Sequence, residues 1–159
     1  MKIWLEKALI KGAFYRQSPA FAFGKALVSP RHSETGADIY FQMRQVAPDD
    51  VVLHLRDNLA IVGRSFVQAA YNETRVGNEV WYRVPLRDYT ELDPPLNRAW
   101  FFDERYRGDL LNVIASGHRR LFYTRQFTLM QGRYLSEVPP SLFAILNRSY
   151  HDYGGTRLL

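Results

Sequence analysis

Residues 46–67 read VAPDDVVLHLRDNLAIVGRSFV, and this stretch decides how the rest of the chain is taken. Pro48-Asp49-Asp50 is turn chemistry, and Val51-Val52-Leu53-His54-Leu55 behind it is a β-branched, apolar run of strand length. Asp57-Asn58 is a second turn signal, and 60–71 reads as the partner strand, so a β-hairpin is expected. Within it, His54 reads as a hydrogen-bonded sheet histidine rather than a metal ligand. The adjacent Asp49 and Asp50 are explained by the turn and not by acid–base chemistry.

Working outward, residues 2–5 (Lys2-Ile3-Trp4-Leu5) read as a first strand with Trp4 in the core. Residues 8–37 read as irregular, broken by Gly12, Pro19, Gly24, Pro30 and Gly36. Ile39, Tyr40, Met43 and Val46 are spaced as a helical face, which predicts a helix over 37–46 ended by Pro48. Downstream, 72–78 reads as a polar loop, 80–84 as an alternating strand and Pro94-Pro95 as a connection. A helix is predicted over 103–116, with Asp103-Glu104 in its first turn, an apolar stripe of Tyr106, Leu110, Leu111, Val113 and Ile114, and Gly117 to stop it. Strands near 121–124 and 131–135 follow. Pro139-Pro140 then opens a last helix that carries Leu142, Ile145, Leu146 and Tyr150 on one face and ends at Gly154-Gly155. Trp81 and Trp100 fit a core as readily as a pocket wall. The order β-α-β-β-β-α-β-β-α predicts an α+β fold, a small mixed β-barrel flanked by helices.

The chain has 159 residues, which suits one domain, here expected over 1–155. Residues 156–159 are expected to begin a linker to a missing C-terminal domain. The absence of cysteine excludes disulfide scaffolds, thiolate zinc sites, iron–sulfur clusters and thiol nucleophiles together. No apolar run approaches the ~18 residues of a membrane span, so no membrane partner and a cytoplasmic location are expected.

No P-loop, GxSxG or HExxH motif occurs, and His32, His54, His118 and His151 stand apart from one another in sequence. No catalytic set, metal site or cofactor is therefore expected. Charge is more informative. The formal net charge is +5, and the 21 basic residues are 17 Arg and only 4 Lys. Arginine grips phosphate with a planar fork and stacks on rings, which lysine does not do. From Leu110 to Ser136 there is no acidic residue, while Arg119, Arg120, Arg125 and Arg133 are present. Residues 1–37 carry Lys2, Lys7, Lys11, Arg16, Lys25 and Arg31 against Glu6 and Glu34. Two such segments converging on one face would track a phosphate backbone; dispersed, they would be an ordinary solvated surface.

Three segments resemble the PUA-like superfamily, and within it the EVE and YTH branches. Trp4-Leu5-Glu6-Lys7-Ala8 is similar to the EVE opening strand, residues 46–67 to its core hairpin, and "QGRYLSEVPPSLFAIL" to its closing strand and helix. A narrower resemblance is to the N-terminal recognition domains of McrB-type, modification-dependent restriction proteins, carried by Ala26-Leu27-Val28-Ser29-Pro30 and Gln131-Gly132-Arg133-Tyr134-Leu135. The sequence departs from the pattern at Val28, where an aromatic is expected, at Ala8, where EVE domains have Ser, and at Asp50 in the turn. The first two alter the pocket wall and leave the identity of the base open.

The resemblance implies a non-catalytic DNA-recognition domain of a modification-dependent restriction system. It would capture a modified base, flipped out of double-stranded DNA, in an aromatic-lined pocket. The missing partner domain would be an AAA+ GTPase motor or a nuclease. Lys7, Val28, Ser29, Pro30 and Trp81 are the expected base-pocket residues, and Lys25, Arg31, His32, Arg119, Arg120 and Arg125 the expected backbone contacts. The alternatives are a PUA-like module for tRNA, rRNA or methylated RNA, and a small hydrolase of the ASCH type.

Overall fold

The computed structural model describes residues 1–159, the side chain of Phe14 excepted. At its centre, β1 (Ile3–Ala8) runs parallel to β3 (Val51–Arg56), in register from Ile3 opposite Val51 to Ala8 opposite Arg56. β3 returns antiparallel as β4 (Ala60–Val67). The turn between them puts Asp57 and Asn58 at φ of 50° and 59°, the left-handed backbone that Asp and Asn tolerate in tight hairpins. The hairpin is formed as its sequence predicts, although its second strand ends at Val67 and not at Tyr71.

β4 pairs with the second half of β6 (Glu79–Asn97), a strand of 19 residues. The first half of β6 pairs with β5 (Asn72–Val76) on one side and with β2 (Ala26–Pro30) on the other. The other edge of β1 takes β7 (Leu135–Glu137). The path β2-β6-β4-β3-β1-β7 curls into a half-barrel, the mixed α+β small barrel expected.

Both faces of this sheet are covered, which is why residues 51–55 are continuously buried instead of alternating. Trp4, Val52, Val67, Leu27, Val84 and Leu135 fill the concave side. Leu5, Leu53, Leu55 and Ile61 pack outward on α1 (Arg98–Phe101), α2 (Glu104–Ala115) and α3 (Pro140–Asp152), against Phe101, Tyr106, Leu110, Leu142 and Tyr150. Trp4 is fully buried, as expected, and its indole N–H donates to Asp50 Oδ2 at 2.9 Å. Asp50 also accepts from the backbone N–H of Lys2 (2.8 Å) and of Ala47 (3.0 Å), so the turn aspartate ties the hairpin to the first strand. Asp103 caps α2 by accepting from the Arg105 N–H, and Gly117 follows the helix at φ +89°.

Several local expectations are corrected. Residues 37–46 form no α-helix: Phe41–Arg44 make one 3₁₀ turn across the barrel end, burying Gln42 and Met43. The irregular 8–37 stretch contains a strand, Ala26–Pro30, whose partner lies more than fifty residues away in β6. The polar 72–78 segment is β5 and its turn, an exposed pairing without an apolar signal. Pro94-Pro95 lie inside β6. The ladder with β4 skips there, from Ile61 opposite Leu96 to Gly63 opposite Glu91, so the prolines interrupt no paired N–H. The Asp93–Pro94 peptide is cis. Near 121–124 there is only a bridge between Tyr123 and Leu129, and the closing strand begins at Leu135. Leu158, in the C-terminal residues, is buried in the helix-side core, and its carbonyl accepts from Arg64 at 3.2 Å.

Candidate functional site

β2 and β7 are the two ends of the curled sheet, and they do not meet as a ladder. β2 pairs with β6 on one side; on its other side the Val28 N–H donates to the Tyr134 hydroxyl at 3.0 Å. Tyr134 immediately precedes β7, and its own carbonyl accepts from the Lys7 N–H at 2.8 Å. One tyrosine side chain therefore closes the seam.

Behind that seam the concave side of the barrel turns polar. Alternation along β1 that turns Trp4 inward turns Glu6 inward too, and Glu6, His54 and Ser65 are all fully buried. Glu6 Oε1 accepts from Arg16 (2.7 Å) and from the Tyr134 hydroxyl (3.0 Å), while Oε2 lies 2.8 Å from His54 Nδ1. His54 Nε2 is 2.8 Å from Ser65 Oγ, so the histidine is the satisfied sheet residue its sequence context predicts. Arg16 reaches in from the loop before β2, and also donates to the carbonyls of Phe21 (3.2 Å) and Ala26 (2.9 Å).

Burial alone would raise the Glu6 pKa. The His54 contact, the Arg16 charge and the Tyr134 hydroxyl outweigh it and hold the carboxyl below its ordinary value. Burial, together with the Glu6 charge, raises the Tyr134 phenol well above 10, so it remains a donor. The network fixes the Tyr134 hydroxyl by hydrogen bonds with Glu6, Arg16 and the Val28 N–H.

In front of the seam lies a cavity of about 280 Å³, near the lower end of the ~300–1,000 Å³ typical of small-ligand sites. Its rings are Tyr15, Tyr40 and Tyr134, its cations Lys7, Arg16 and Arg133, and its floor Val28, Ser29 and Pro30. Lys7 Nζ donates to the Met130 carbonyl. Its pKa is lowered, first by burial and then by Arg133. Arg133 is lowered in turn by burial and by Arg120, so these cations press on one another. Burial raises Tyr40, with Tyr15 and Glu34 adding to the shift.

Four of the five residues singled out for a base pocket, Lys7, Val28, Ser29 and Pro30, line this cavity together. Trp81 stands one ring behind, opposite Pro30 in the β2–β6 ladder and edge-on to Tyr15 with centroids 5.1 Å apart. Trp81 instead lines an adjoining cleft with Arg31 and His32. Arg119, Arg120 and Arg125 gather with His118 and Arg133 around another depression. Lys25 is exposed at the opposite end of β2 from Pro30, away from the cavity. Trp100 belongs to the helix layer, stacked on Tyr153 at 4.9 Å. Tyr15 carried no signal of its own in the sequence and Tyr40 was read only as part of a helical face, whereas Gln131, Arg133 and Tyr134 stood in the quoted closing motif. Among the described residues no group of three or more His, Asp and Glu is placed to hold a metal ion, and no helix is long and apolar enough to cross a membrane.

The curled mixed sheet and the helices on its outer face make a small α+β half-barrel, a fold consistent with a PUA-like small barrel. The same architecture occurs in the N-terminal domain of Staphylothermus marinus McrB, with a TM-score of 0.52 at 11% identity over 96% of this chain and 94% of that one. It occurs also in Atu2648 from Agrobacterium tumefaciens (TM-score 0.57, 15% identity, 94% and 93% of the two chains). A third example is Rpa0253 from Rhodopseudomonas palustris (TM-score 0.52, 13% identity, 94% and 92%). At such identities the likeness is one of fold. No protein-family model matches the chain, and no curated protein matches it in sequence.

Proposed function

We propose that this chain is a non-catalytic DNA-recognition domain that receives a modified base, extruded from a duplex, in the cavity at the barrel seam. The observation that carries the reading is the cavity itself. Three tyrosines and a pair of mutually repelling cations surround the free edge of β2, on an architecture shared with a McrB N-terminal domain. Extruding a base costs a few kcal/mol. Stacking on tyrosine returns about 1–3 kcal/mol per base. Peptide groups supply the edge reading: in an extended strand the N–H and C=O of one residue point the same way, so the Val28 carbonyl faces the seam with its N–H. In a modification-dependent restriction system, a nuclease would do the cutting.

Titration of duplexes carrying one 5-methylcytosine or one N6-methyladenine against unmodified duplexes, at several salt concentrations, tests the proposal. A single methyl group supports roughly 10–200-fold preference, and log K should fall linearly with log salt. Equal affinities with a flat salt dependence refute it. Tighter binding of single-stranded RNA of the same sequence would assign the domain to RNA instead, through the 2′-hydroxyl.

A further inference from the structure

Arg133 occupies a junction. It lines the tyrosine-walled cavity, the depression formed by His118, Arg119, Arg120 and Arg125, and a third hollow between Arg120 and residues 37–42. One of its N–H groups donates to the Leu121 carbonyl at 3.1 Å, which sets the guanidinium between these spaces. Arg120, held at φ 60° with its guanidinium 4.3 Å from the centre of the Phe41 ring, lines two of the three.

Among the described residues, arginines without a carboxylate partner occur elsewhere too, at Arg64, Arg75, Arg83, Arg98, Arg107 and Arg157, but at this junction four of them line one depression. Arg16, Arg44, Arg87, Arg105 and Arg148 each have a carboxylate partner. Among the described residues, no carboxylate stands within ion-pair distance of Lys7, Arg119, Arg120, Arg125 or Arg133. A cluster of forked cations without counter-charge, opening from a ring-walled cavity, suits an anion covalently attached to a planar ring.

We infer that Arg133 binds the phosphate of the same nucleotide whose base enters the tyrosine-walled cavity, and that Arg120, Arg119 and Arg125 carry the continuing backbone of that strand. This rests on the base-capture reading and deepens it: the ligand is a nucleotide unit, base and phosphate together, and not a base alone. Because one guanidinium borders both spaces, the phosphate it holds is separated from the base only by the nucleotide's own sugar. The strand carrying the modified base is thereby held differently from its complement.

Methylphosphonate scanning tests this on the intact protein. A duplex with one modified base is made with a single neutral linkage at successive positions on either strand, and each is titrated against the wild-type domain and against Arg133→Gln. The expected result is a roughly ten-fold loss at one linkage flanking the modified base on its own strand, the loss of one charge-assisted contact. That loss should vanish in Arg133→Gln. Uniform losses along both strands in the wild type would overturn the junction while leaving base capture intact, and this arm needs no variant. Equal binding of methylated and plain duplexes would overturn the base-capture reading and the inference with it.

Discussion

Replacing Glu6 with Gln keeps the side-chain volume at the closed end of the barrel and removes its only buried carboxylate contact to Arg16. In the native chain the fully buried carboxylate lies 2.7 Å from Arg16, 2.8 Å from His54 Nδ1 and 3.0 Å from the Tyr134 hydroxyl. Without it, a guanidinium on a residue only 6% exposed is left without an anion. Breaking one side of a buried pair costs about 3–5 kcal/mol. At about 2–4 °C per kcal/mol for a domain of this length, the melting temperature should fall by roughly 6–20 °C. The double variant Glu6→Gln with Arg16→Met strands no charge and should recover much of the loss. Acid provides an independent reading. Glu6 is held below its ordinary value of 4.5, so the unfolded chain takes up the proton first as pH falls. The stabilisation is complete above that value and is lost as pH drops through the lower folded-state pKa, so the gap between wild type and Glu6→Gln should narrow in acid. Urea unfolding at neutral and successively acidic pH measures both effects. A Glu6→Gln variant within the ~0.5 kcal/mol of an inert surface substitution, or a double variant no more stable than the single, would refute this account.

Tyr15→Ala and Tyr40→Ala should each weaken binding of the modified-base duplex by about 1–3 kcal/mol in a titration. Both rings are only half-buried, so thermal unfolding should change little; unchanged affinity would remove them from the cavity's function. Arg119→Gln and Arg125→Gln should each flatten the slope of log K against log salt by about 0.9 without altering the ratio of methylated to unmethylated affinity; an altered ratio would place them at the base. Gly63→Ala puts a Cβ 2.5 Å from atoms of the Tyr89 ring and should cost about 1–3 kcal/mol of stability. Most of that should return in a Tyr89→Leu background, and equal losses in both backgrounds would show that the clash lies elsewhere.

What could be read from the chain follows from how local each pairing is. The β3–β4 hairpin carries its turn residues, Asp57 and Asn58, between its two strands, and α2 and α3 carry their apolar stripes and end signals within one window. β2 has no such support. Its partner in β6 is remote, it is buried along nearly its whole length, and Ser29-Pro30 looks like a break. β5 exposes most of its residues and so lacks the alternation that marks a half-buried strand. In β6, Pro94 and Pro95 imitate a terminator because the skip in the β4 ladder that accommodates them is invisible without the partner. The cavity divides in the same way. Lys7 and Val28 to Pro30 were reachable through motif position, whereas Tyr15 lies in the stretch read as irregular and Tyr40 in one whose spacing imitates a helix. They meet across the cavity, where Arg16, buried on Glu6, fastens the segment that carries Tyr15 against the barrel.

The seam closed by Tyr134 has a metric consequence. Two strand edges joined by backbone hydrogen bonds settle about 4.8 Å apart and leave no slot between them. Here the backbone of Tyr134 is fastened to β1 through Lys7, and its hydroxyl, at the far end of a rigid ring, is fastened to β2 through Val28. The phenol is a spacer of fixed length, and Glu6 and Arg16 clamp the end that touches β2. Slot width is thus written into one covalent side chain. Tyr134→Phe would remove the fastening and leave the spacer, which separates the gauge from the latch.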